Sequence, residues 1–222
     1  MTDRCFLDRL SAGDRAVLEE LFVVRNYAHG EIVISHLDED RNVFFVLEGR
    51  LRATLYSRDG HEVNYRDIGP GNVVGELAAI DGAPRSATVE ALEPARLGCL
   101  SAATFRELVK TCPGLNTVLL EHLSAQIRRL TERVFEFSTL AVRDRLIREL
   151  LRLAEATSMQ DARAEIRPAP TQFELAHRIS SHREVVSREM SGLARAGLVV
   201  KRKGALIVSD LDQLRGLIAD AE

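Results

Sequence analysis

Two hydrophobic periodicities divide the first half of the chain. Residues 6–22 carry apolar side chains at near-helical spacing, and Ser11 is suited to cap a helix through Asp14. From Val23 the period changes to two, in short runs rich in Val, Ile, Phe and Tyr. The pattern predicts one or two leading helices, followed by antiparallel strands that close into a double-sheet jelly roll. Turn residues separate the strands at 29–30, 38–40, 48–49, 59–60 and 69–71.

A third pattern follows Pro113 and Gly114. Its steps of three or four residues are typical of a coiled-coil seam, so we expect a long helix that pairs with its twin in a symmetric dimer. The alternative is an ordinary helix packed on its own domain. The seam consists of Leu115, Leu119, Leu123, Ile127, Leu130, Val134, Phe137 and Ala141.

The last third of the chain predicts a helix-turn-helix with a wing. Two capping boxes, Thr171 with Glu174 and Ser181 with Glu184, each open a short helix, and a tight turn separates the helices. Residues 198–208 then form a predicted hairpin with a basic tip.

Before this motif we expect a helix over residues 141–156 and a polar, proline-ended link over 157–170. The predicted fold class is α+β. Its parts are a β-roll over 1–113, a dimerisation helix over 114–141 and a winged helix-turn-helix over 142–222.

Charge is distributed unevenly along the 222 residues, a length that suggests two domains. Residues 1–113 contain 13 Lys and Arg against 18 Asp and Glu, a net charge of −5. Residues 163–209 contain 9 against 4, a net charge of +5. A basic C-terminal segment favours contact with nucleic acid, although a solvated helix face is the more common reason for such charge.

The start of the chain and its cysteines narrow the function classes. The first residues lack the basic start and apolar core of a signal peptide, and no apolar run approaches ~18 residues, so we expect a protein of the cytoplasm without a membrane anchor. Cys5, Cys99 and Cys112 have no metal-like spacing, and three is an odd number. Neither a zinc site, an iron–sulfur sensor nor a disulfide framework is favoured.

Residues 75–89 combine glycine, carboxylate, arginine and hydroxyl groups around one short apolar turn. Gly75 is placed to open a helical turn with free N–H groups, and Arg85 and Ser86 are further donors to an anion. Glu76 would repel a phosphate, so its natural partner is a ribose hydroxyl. Phosphate and ribose together indicate a nucleotide. The alternative is a β-turn, a one-turn helix and a surface arginine.

Two strings of this sequence carry a resemblance to a known family. Gly75-Glu76-Leu77-Ala78, with Pro-Arg-Ser-Ala-Thr-Val at 84–89, resembles the phosphate-binding cassette of cyclic-nucleotide-binding domains. The string from Ala176 to Met190, followed by Leu-Ala-Arg-Ala-Gly-Leu-Val at 193–199, resembles the DNA-binding end of the cyclic-AMP receptor protein superfamily, which includes the fumarate-nitrate regulators. The order of roll, long helix and winged helix-turn-helix is similar throughout.

The resemblance implies a ligand site for cyclic AMP, with cyclic GMP as the alternative. In the family, a hydroxyl on the dimer helix contacts the purine, and Thr131 corresponds to it. Where the enteric cyclic-AMP receptor has a second hydroxyl beside that position this chain has Leu130, which leaves the purine open. The implied ligand residues are Gly75, Glu76, Leu77, Ala78, Arg85, Ser86, Leu130 and Thr131.

The second helix of the motif carries residue types that read base edges. Arg183, Glu184, Ser187 and Arg188 share one face, because their spacings are one, three and four, while the opposite face is apolar. The alternative is a surface helix with a salt bridge from Glu184 to Arg188. The expected DNA-contacting residues are Thr171, Ser181, His182, Arg183, Glu184, Ser187, Arg188, Lys201 and Lys203.

Together these features predict a homodimeric transcription regulator that binds a cyclic nucleotide and palindromic double-stranded DNA, with RNA polymerase as a further expected partner. One alternative is a nucleotide-hydrolysing enzyme using Glu76 and a metal, but no His and Asp cluster has ligand spacing. Another is a family member that senses haem, nitric oxide or redox state, which the complete cassette disfavours.

Overall fold

Two units make up the structure, a computed structural model that describes residues 5–56, 62–155, 157, 159–160 and 162–219. The first unit is Met1–Arg129 and the second is Leu130–Glu222. Each has its own hydrophobic core. The division falls inside one long helix.

The first unit is a roll of two four-stranded antiparallel sheets, with strand orders β1-β8-β3-β6 and β2-β7-β4-β5. This confirms the predicted roll and the two leading helical segments; the predicted turn at 59–60 lies outside the described residues. The elements are a 3₁₀ turn (Leu7–Arg9), α1 (Ala12–Glu20), β1 (Val23–Tyr27), β2 (Ile32–Ile34), β3 (Val43–Glu48), β4 (Leu51–Tyr56), β5 (Glu62–Ile68), β6 (Val73–Val74), α2 (Glu76–Asp81), β7 (Thr88–Ala91), β8 (Ala95–Leu100) and α3 (Ala102–Thr111).

Strand β3 shows why the roll needs its helices. Its first four residues are apolar and buried, so the strand is covered on both faces and does not alternate. Phe44 and Val46 pack in the core between the two sheets. Val43 and Phe45 pack in a second core with side chains of α1, α3 and the long helix.

The long helix α4 (Pro113–Thr139) has 27 residues and corrects part of the predicted seam. Leu115 and Leu119 are buried in the core of the first unit, and Leu123 packs against it. For these three residues the alternative, a helix packed on its own domain, is right. Four later residues of the predicted seam are exposed, and with Leu120 they recur at heptad positions: Leu120, Ile127 and Val134 form one row, and Leu130 and Phe137 form the other.

The second unit is a winged helix-turn-helix, as predicted. Its antiparallel sheet has the order β11-β12-β10-β9, and α5, α6, α7 and α8 contribute to one core. The elements after α4 are α5 (Val142–Glu155), β9 (Met159–Gln160), β10 (Arg163–Ile166), α6 (Gln172–Arg178), α7 (Arg183–Arg195), β11 (Val199–Arg202), β12 (Ala205–Val208) and α8 (Leu211–Ala219).

Two details predicted for this unit were wrong. The expected polar link over 157–170 contains strands β9 and β10, because Ala164 and Ile166 alternate into the core and pair with the wing strand β12. The second capping box does not form either: α7 begins at Arg183 after the N-cap residue His182, which makes no side-chain cap. Ser181 therefore precedes the N-cap, and Glu184 is one position too early for a box.

Among the described residues, no helix is both long and apolar enough to cross a membrane.

Candidate functional site

The segment after β6 turns sharply at Gly75. This residue is the N-cap of α2 and has φ 82°, the left-handed region that favours glycine. A Cβ atom there would lie 2.6 Å from Nη1 of Arg85 and 2.8 Å from the carbonyl oxygen of Asn42. Glycine is therefore required for both backbone conformation and space, and it lets Arg85 approach the start of α2.

Arg85 is buried, with only 3% of its surface exposed. Its guanidinium donates from Nη1 to the carbonyl oxygen of Gly75 (3.0 Å) and from Nη2 to that of Asn42 (2.6 Å). Nη2 also lies 3.5 Å from Oδ2 of Asp40. Burial lowers the pKa of the guanidinium, but arginine remains charged in proteins. The arrangement fixes a positive fork beside a cavity, where it can bind an anion.

Glu76, the first residue of α2, is also buried and is 5% exposed. Its Oε1 accepts a hydrogen bond from Nε2 of Gln126 at 3.0 Å. The same Nε2 lies 2.7 Å from Nε2 of His122, one turn earlier on α4. Burial, followed by the charges of nearby arginines, lowers the pKa of His122 to about 4, so this ring is neutral at pH 7.

These groups surround a cavity of about 40 Å³ in the first unit. Sites that bind drug-sized ligands usually measure about 300–1,000 Å³, so a nucleotide must displace side chains as it enters. The wall combines apolar residues with a cation, a carboxylate and an amide; its residues include Ile34, Ala53, Val74, Ala87 and Val89, together with Arg66, Gly75, Glu76, Leu77, Ala78, Arg85, Ser86 and Gln126.

Six of the eight predicted ligand residues lie together at this cavity. Gly75, Glu76, Ala78 and Arg85 lie on its inner wall, and Leu77 and Ser86 are more exposed. Leu130 and Thr131 are exposed on α4 at the start of the second unit, and their role in ligand binding stays a prediction.

The sequence reasoning missed five residues around the cassette. Asp40 was predicted only as part of the turn at 38–40, and it lies beside Arg85. The spacing of His122 and Gln126, four residues apart on one helix face, was an available signal for a shared contact. Asn42 had no such signal, because it acts through its backbone carbonyl, and nothing in the local sequence linked Arg66 of β5 to the cavity wall. The missed residues are Asp40, Asn42, Arg66, His122 and Gln126.

The helix-turn-helix presents a polar face on α7. Val186 and Leu193 are buried, while Arg183, Glu184 and Arg188 are exposed and Ser187 is half-buried. The predicted division of the helix into a core face and an outward face is confirmed. Nε of Arg188 lies 3.3 Å from Glu189, and within the part of the chain that the structure describes Glu184 has no ion-pair partner. The alternative salt bridge between Glu184 and Arg188 is therefore absent.

The other predicted DNA-contacting residues flank this helix and the wing. Thr171 caps α6 in a complete capping box: its Oγ1 accepts from the N–H of Glu174 at 3.1 Å, and Glu174 accepts from the N–H of Thr171 at 2.8 Å. Ser181 is half-buried in the turn, where its N–H donates to the carbonyl oxygen of Ala176. Of these predicted residues, Thr171, His182, Lys201 and Lys203 are exposed.

A buried ion cluster lies beneath the helix-turn-helix. Glu136 of α4 and Glu149 of α5 are 3% and 2% exposed. Arg152 binds Glu136 with two hydrogen bonds of 2.7 and 3.0 Å. Glu149 lies 3.0 Å from Arg133 and 3.2 Å from Arg178 of α6. The cluster thereby connects α4, α5 and α6 within the second unit.

No group of three or more His, Cys, Asp or Glu side chains among the described residues is arranged to bind a metal ion.

Both parts of the chain match known protein families. Residues 24–112 match the cyclic nucleotide-binding domain, and residues 144–217 match the Crp-like helix-turn-helix domain. The first match contains the cavity residues Gly75 to Ser86, and the second contains α6, α7 and the wing.

Three relatives extend the similarity along most of the chain. The CRP-like cAMP-activated global transcriptional regulator of Mycobacterium tuberculosis is 22% identical over 190 residues, 85% of each protein. Transcriptional regulator SdrP of Thermus thermophilus is 29% identical over 172 residues, 78% of this chain and 81% of SdrP. The solved structure of CLP, a c-di-GMP responsive global regulator of Xanthomonas campestris, has a TM-score of 0.78 at 21% identity and covers 89% of this chain and 99% of CLP, which shows a shared fold.

A cyclic nucleotide-binding roll followed by a Crp-like helix-turn-helix is the arrangement of transcription regulators and not of enzymes. This chain belongs to the superfamily of the cyclic-AMP receptor protein and the fumarate-nitrate regulator.

Proposed function

We propose that this regulator is a homodimer that binds cyclic AMP and, once the nucleotide is bound, binds palindromic DNA. The observation that carries the proposal is the pairing of a buried cation, Arg85, with a buried carboxylate, Glu76, at one cavity. A cyclic nucleotide offers the complementary groups, a charged phosphate and a ribose hydroxyl.

The phosphate and the ribose bind on opposite sides of Gly75. Arg85 donates to the cyclic phosphate together with the hydroxyl of Ser86 and the N–H groups at the start of α2. Glu76 accepts from the ribose 2′-OH, because a carboxylate is an acceptor only and the phosphate repels it. Occupancy requires that Arg85 exchange part of its contact with Asp40 or Asn42 for the phosphate.

Dimerisation uses the exposed apolar rows of α4. Leu120, Ile127 and Val134 are 50% or more exposed in the single chain, and they are seven residues apart. An a/d seam of this kind is stable only when a second helix covers it. Leu130 lies on the same seam, which brings Thr131 to the interface, where its hydroxyl contacts the purine.

DNA recognition uses α7 and the wing. The exposed residues at the start of α7 enter the major groove, where Arg binds guanine O6 and N7 and Glu accepts from cytosine N4. Lys201 and Lys203 on the wing bind phosphates. A dimer places two such helices on half-sites about one helical turn, or roughly 34 Å, apart. Binding to the chromosome takes place in the cytoplasm, and RNA polymerase is the expected partner there.

Cyclic GMP is the alternative ligand, because one feature of the sequence leaves the purine open. Leu130 stands where the enteric receptor has a hydroxyl, so only Thr131 supplies a polar group to the purine at that place. The relatives do not decide between purines: the Mycobacterium tuberculosis protein is named as cAMP-activated, whereas CLP is described as c-di-GMP responsive.

The test combines calorimetry with a DNA-binding selection. The purified chain is titrated with cyclic AMP, cyclic GMP and c-di-GMP, and its mass is measured by analytical ultracentrifugation. Randomised palindromes are then selected with and without each nucleotide. We expect a dimer, one nucleotide per chain, and selection of a palindrome only when cyclic AMP is present. A monomer, or DNA binding that no cyclic nucleotide changes, would contradict the proposal.

A further inference from the structure

Gln126 makes two hydrogen bonds through one atom. Its Nε2 lies 3.0 Å from Oε1 of Glu76 and 2.7 Å from Nε2 of His122. A carboxylate oxygen can only accept, so the amide nitrogen, and not the amide oxygen, faces Glu76. That nitrogen carries two hydrogens and accepts none. Both contacts are therefore donations from Gln126, and Nε2 of His122 must be an acceptor.

The surroundings of His122 keep its ring neutral, the form in which one ring nitrogen can accept a hydrogen bond. It is 5% exposed and lies edge-on to Phe6, with ring centroids 5.4 Å apart. The positive charges of Arg66, Arg129 and Arg9 disfavour a charged imidazole at this place. The neutral ring carries its one proton on Nδ1, which leaves the Nε2 lone pair for Gln126.

This geometry fixes the direction of the Gln126 amide. If the amide turned over, its oxygen would face the carboxylate of Glu76 and the lone pair of His122, and both contacts would become repulsive. One oxygen of Glu76 is thus occupied by a donor whose orientation a second residue determines. Within the described part of the chain, the contacts of Glu76 are made by Oε1, and its other oxygen, Oε2, can accept from the ribose.

We propose that Gln126, oriented by His122, is a positioning residue that directs the Glu76 carboxylate at the ribose 2′-OH and joins α4 to the nucleotide cavity. The proposal rests on the proposed function and deepens it. Both residues belong to α4, the helix that continues into the second unit, so the ribose contact acts on the same element that carries the exposed dimer rows.

Two substitutions remove the hydrogen bonds that join Gln126 to Glu76 and His122 and keep the size of the substituted side chain. Gln126→Met keeps the length of the side chain and loses the donor, and His122→Phe keeps a ring against Phe6 and loses the acceptor. Ser124→Ala, an exposed position on the same helix, is the matched control. Each variant is titrated by calorimetry with cyclic AMP and with 2′-deoxy cyclic AMP, after its thermal unfolding has been compared with the wild type.

We expect Gln126→Met to weaken cyclic AMP roughly tenfold, because a hydrogen bond to a charged group is lost, and to leave the 2′-deoxy ligand within about twofold. His122→Phe should show the same selectivity with a smaller loss, and Ser124→Ala should match the wild type. An equal loss for both ligands would mean that Gln126 supports the fold only, and would overturn the proposal.

A ligand-free measurement separates this proposal from the proposed function. Nitrogen NMR of the histidine rings should show His122 at pH 7 as the neutral tautomer with its proton on Nδ1, and Gln126→Met should change the Nε2 shift. A proton on Nε2 would show that His122 does not accept from Gln126, and would overturn this proposal even if the chain binds cyclic AMP. A wild-type chain with the expected tautomer but no affinity for any cyclic nucleotide would instead overturn the proposed function and the ribose role with it.

Discussion

The charged groups of the cavity are buried, whereas those of α7 and the wing are exposed. Arg85 and Glu76 each have hydrogen-bond partners inside the first unit, while Arg183, Glu184 and Lys201 face solvent. A buried charge is expensive unless it is paired, and an exposed charge is solvated at little expense. The cavity is therefore a set of mutually dependent contacts, whereas we expect the exposed charges of α7 and the wing to act one at a time.

The largest effect is expected at Arg85, which is more deeply buried than Glu76, the other buried charge of the cavity. Arg85→Leu should abolish cyclic-nucleotide binding, a loss of about 3 kcal/mol or more, because the phosphate loses a charged bidentate donor. The carbonyl oxygens of Gly75 and Asn42 also lose their donor, so some stability is lost as well. Calorimetry measures the first effect and thermal unfolding the second.

Arg96→Leu is the matched control, because Arg96 is half exposed and its partner Glu48 is at the surface. It should bind nucleotide like the wild type. Unchanged affinity in Arg85→Leu would show that the cassette does not bind the nucleotide. It would also contradict the comparison between buried and exposed charges.

The next prediction tests whether the burial of a charged group, and not the type of site it belongs to, determines how much free energy its removal costs. Glu149 is buried among Arg133, Arg152 and Arg178 in the second unit. Glu149→Gln removes one of the two buried carboxylates that compensate these arginines, Glu136 being the other, and should lower the free energy of unfolding by about 3 kcal/mol. Urea denaturation followed by circular dichroism measures it. Glu165→Gln, which removes a surface pair with Arg167, should change stability by less than about 0.5 kcal/mol; equal losses would refute the comparison.

A third expected effect is a dependence of stability on pH. Because the pKa of His122 is lowered from 6.5 to about 4 by burial, the unfolded chain binds a proton between these values and the folded chain does not. The free energy of unfolding that depends on the neutral ring of His122 is fully present above pH 6.5 and is lost as the pH falls toward 4. Around the ring the charged groups are Glu76 of α2, Arg66 of β5, Arg129 of α4 and Arg9 of the 3₁₀ turn.

From pH 7 to pH 5 the wild type should lose about 2 kcal/mol more unfolding free energy than His122→Phe, which cannot bind the proton. Urea melts of both proteins at pH 7, 6 and 5 measure the difference, and the shared titration of the carboxylates cancels. Parallel curves would show that His122 titrates normally and is not buried as a neutral ring.

Local patterns predicted the elements of this protein well. The change of period at Val23, the capping box at Thr171 and the glycine and arginine of the cassette are each readable within a few residues, because they are local in chemistry. Their partners are not local. Asn42 and Gln126 reach the cassette only after the roll has folded, and no spacing in the sequence brings residues 42, 76 and 126 together.

The errors have the same cause. Leu115 and Leu119 have a spacing that suits a coiled coil and a packed helix equally, and only the presence of the β3 core decides for the second. Ala164 and Ile166 alternate over too few residues to be recognised as a strand without the wing strand beside them. The cavity and these errors both depend on tertiary neighbours that a one-dimensional pattern does not contain.

On the exposed side of the comparison, Glu184 should affect sequence preference more than affinity. Glu184→Ala removes the acceptor for a cytosine amino group, so it should relax the preference at one base pair per half-site by about 1 to 3 kcal/mol. Selection from randomised palindromes measures the preference, and Asp212→Ala, which removes an exposed carboxylate of α8, is its control. An even loss across every site would show that α7 does not read bases through Glu184.

The smallest effect is expected at the tip of the wing. Lys201 is exposed beside Arg202 and Lys203, and a phosphate contact carries no sequence information. Lys201→Ala should therefore weaken binding to all DNA sequences alike and lower the slope of log affinity against log salt by about 0.9 per subunit, the value for one phosphate. Affinities at several salt concentrations, for the selected palindrome and for unrelated DNA, give both slopes. Because an exposed lysine acts alone, the same decrease should appear in a chain that already carries Glu184→Ala. If the effects of the two substitutions are strongly non-additive, the wing and α7 form one coupled site. The exposed charges would then depend on one another as the buried charges of the cavity do, and the comparison would fail.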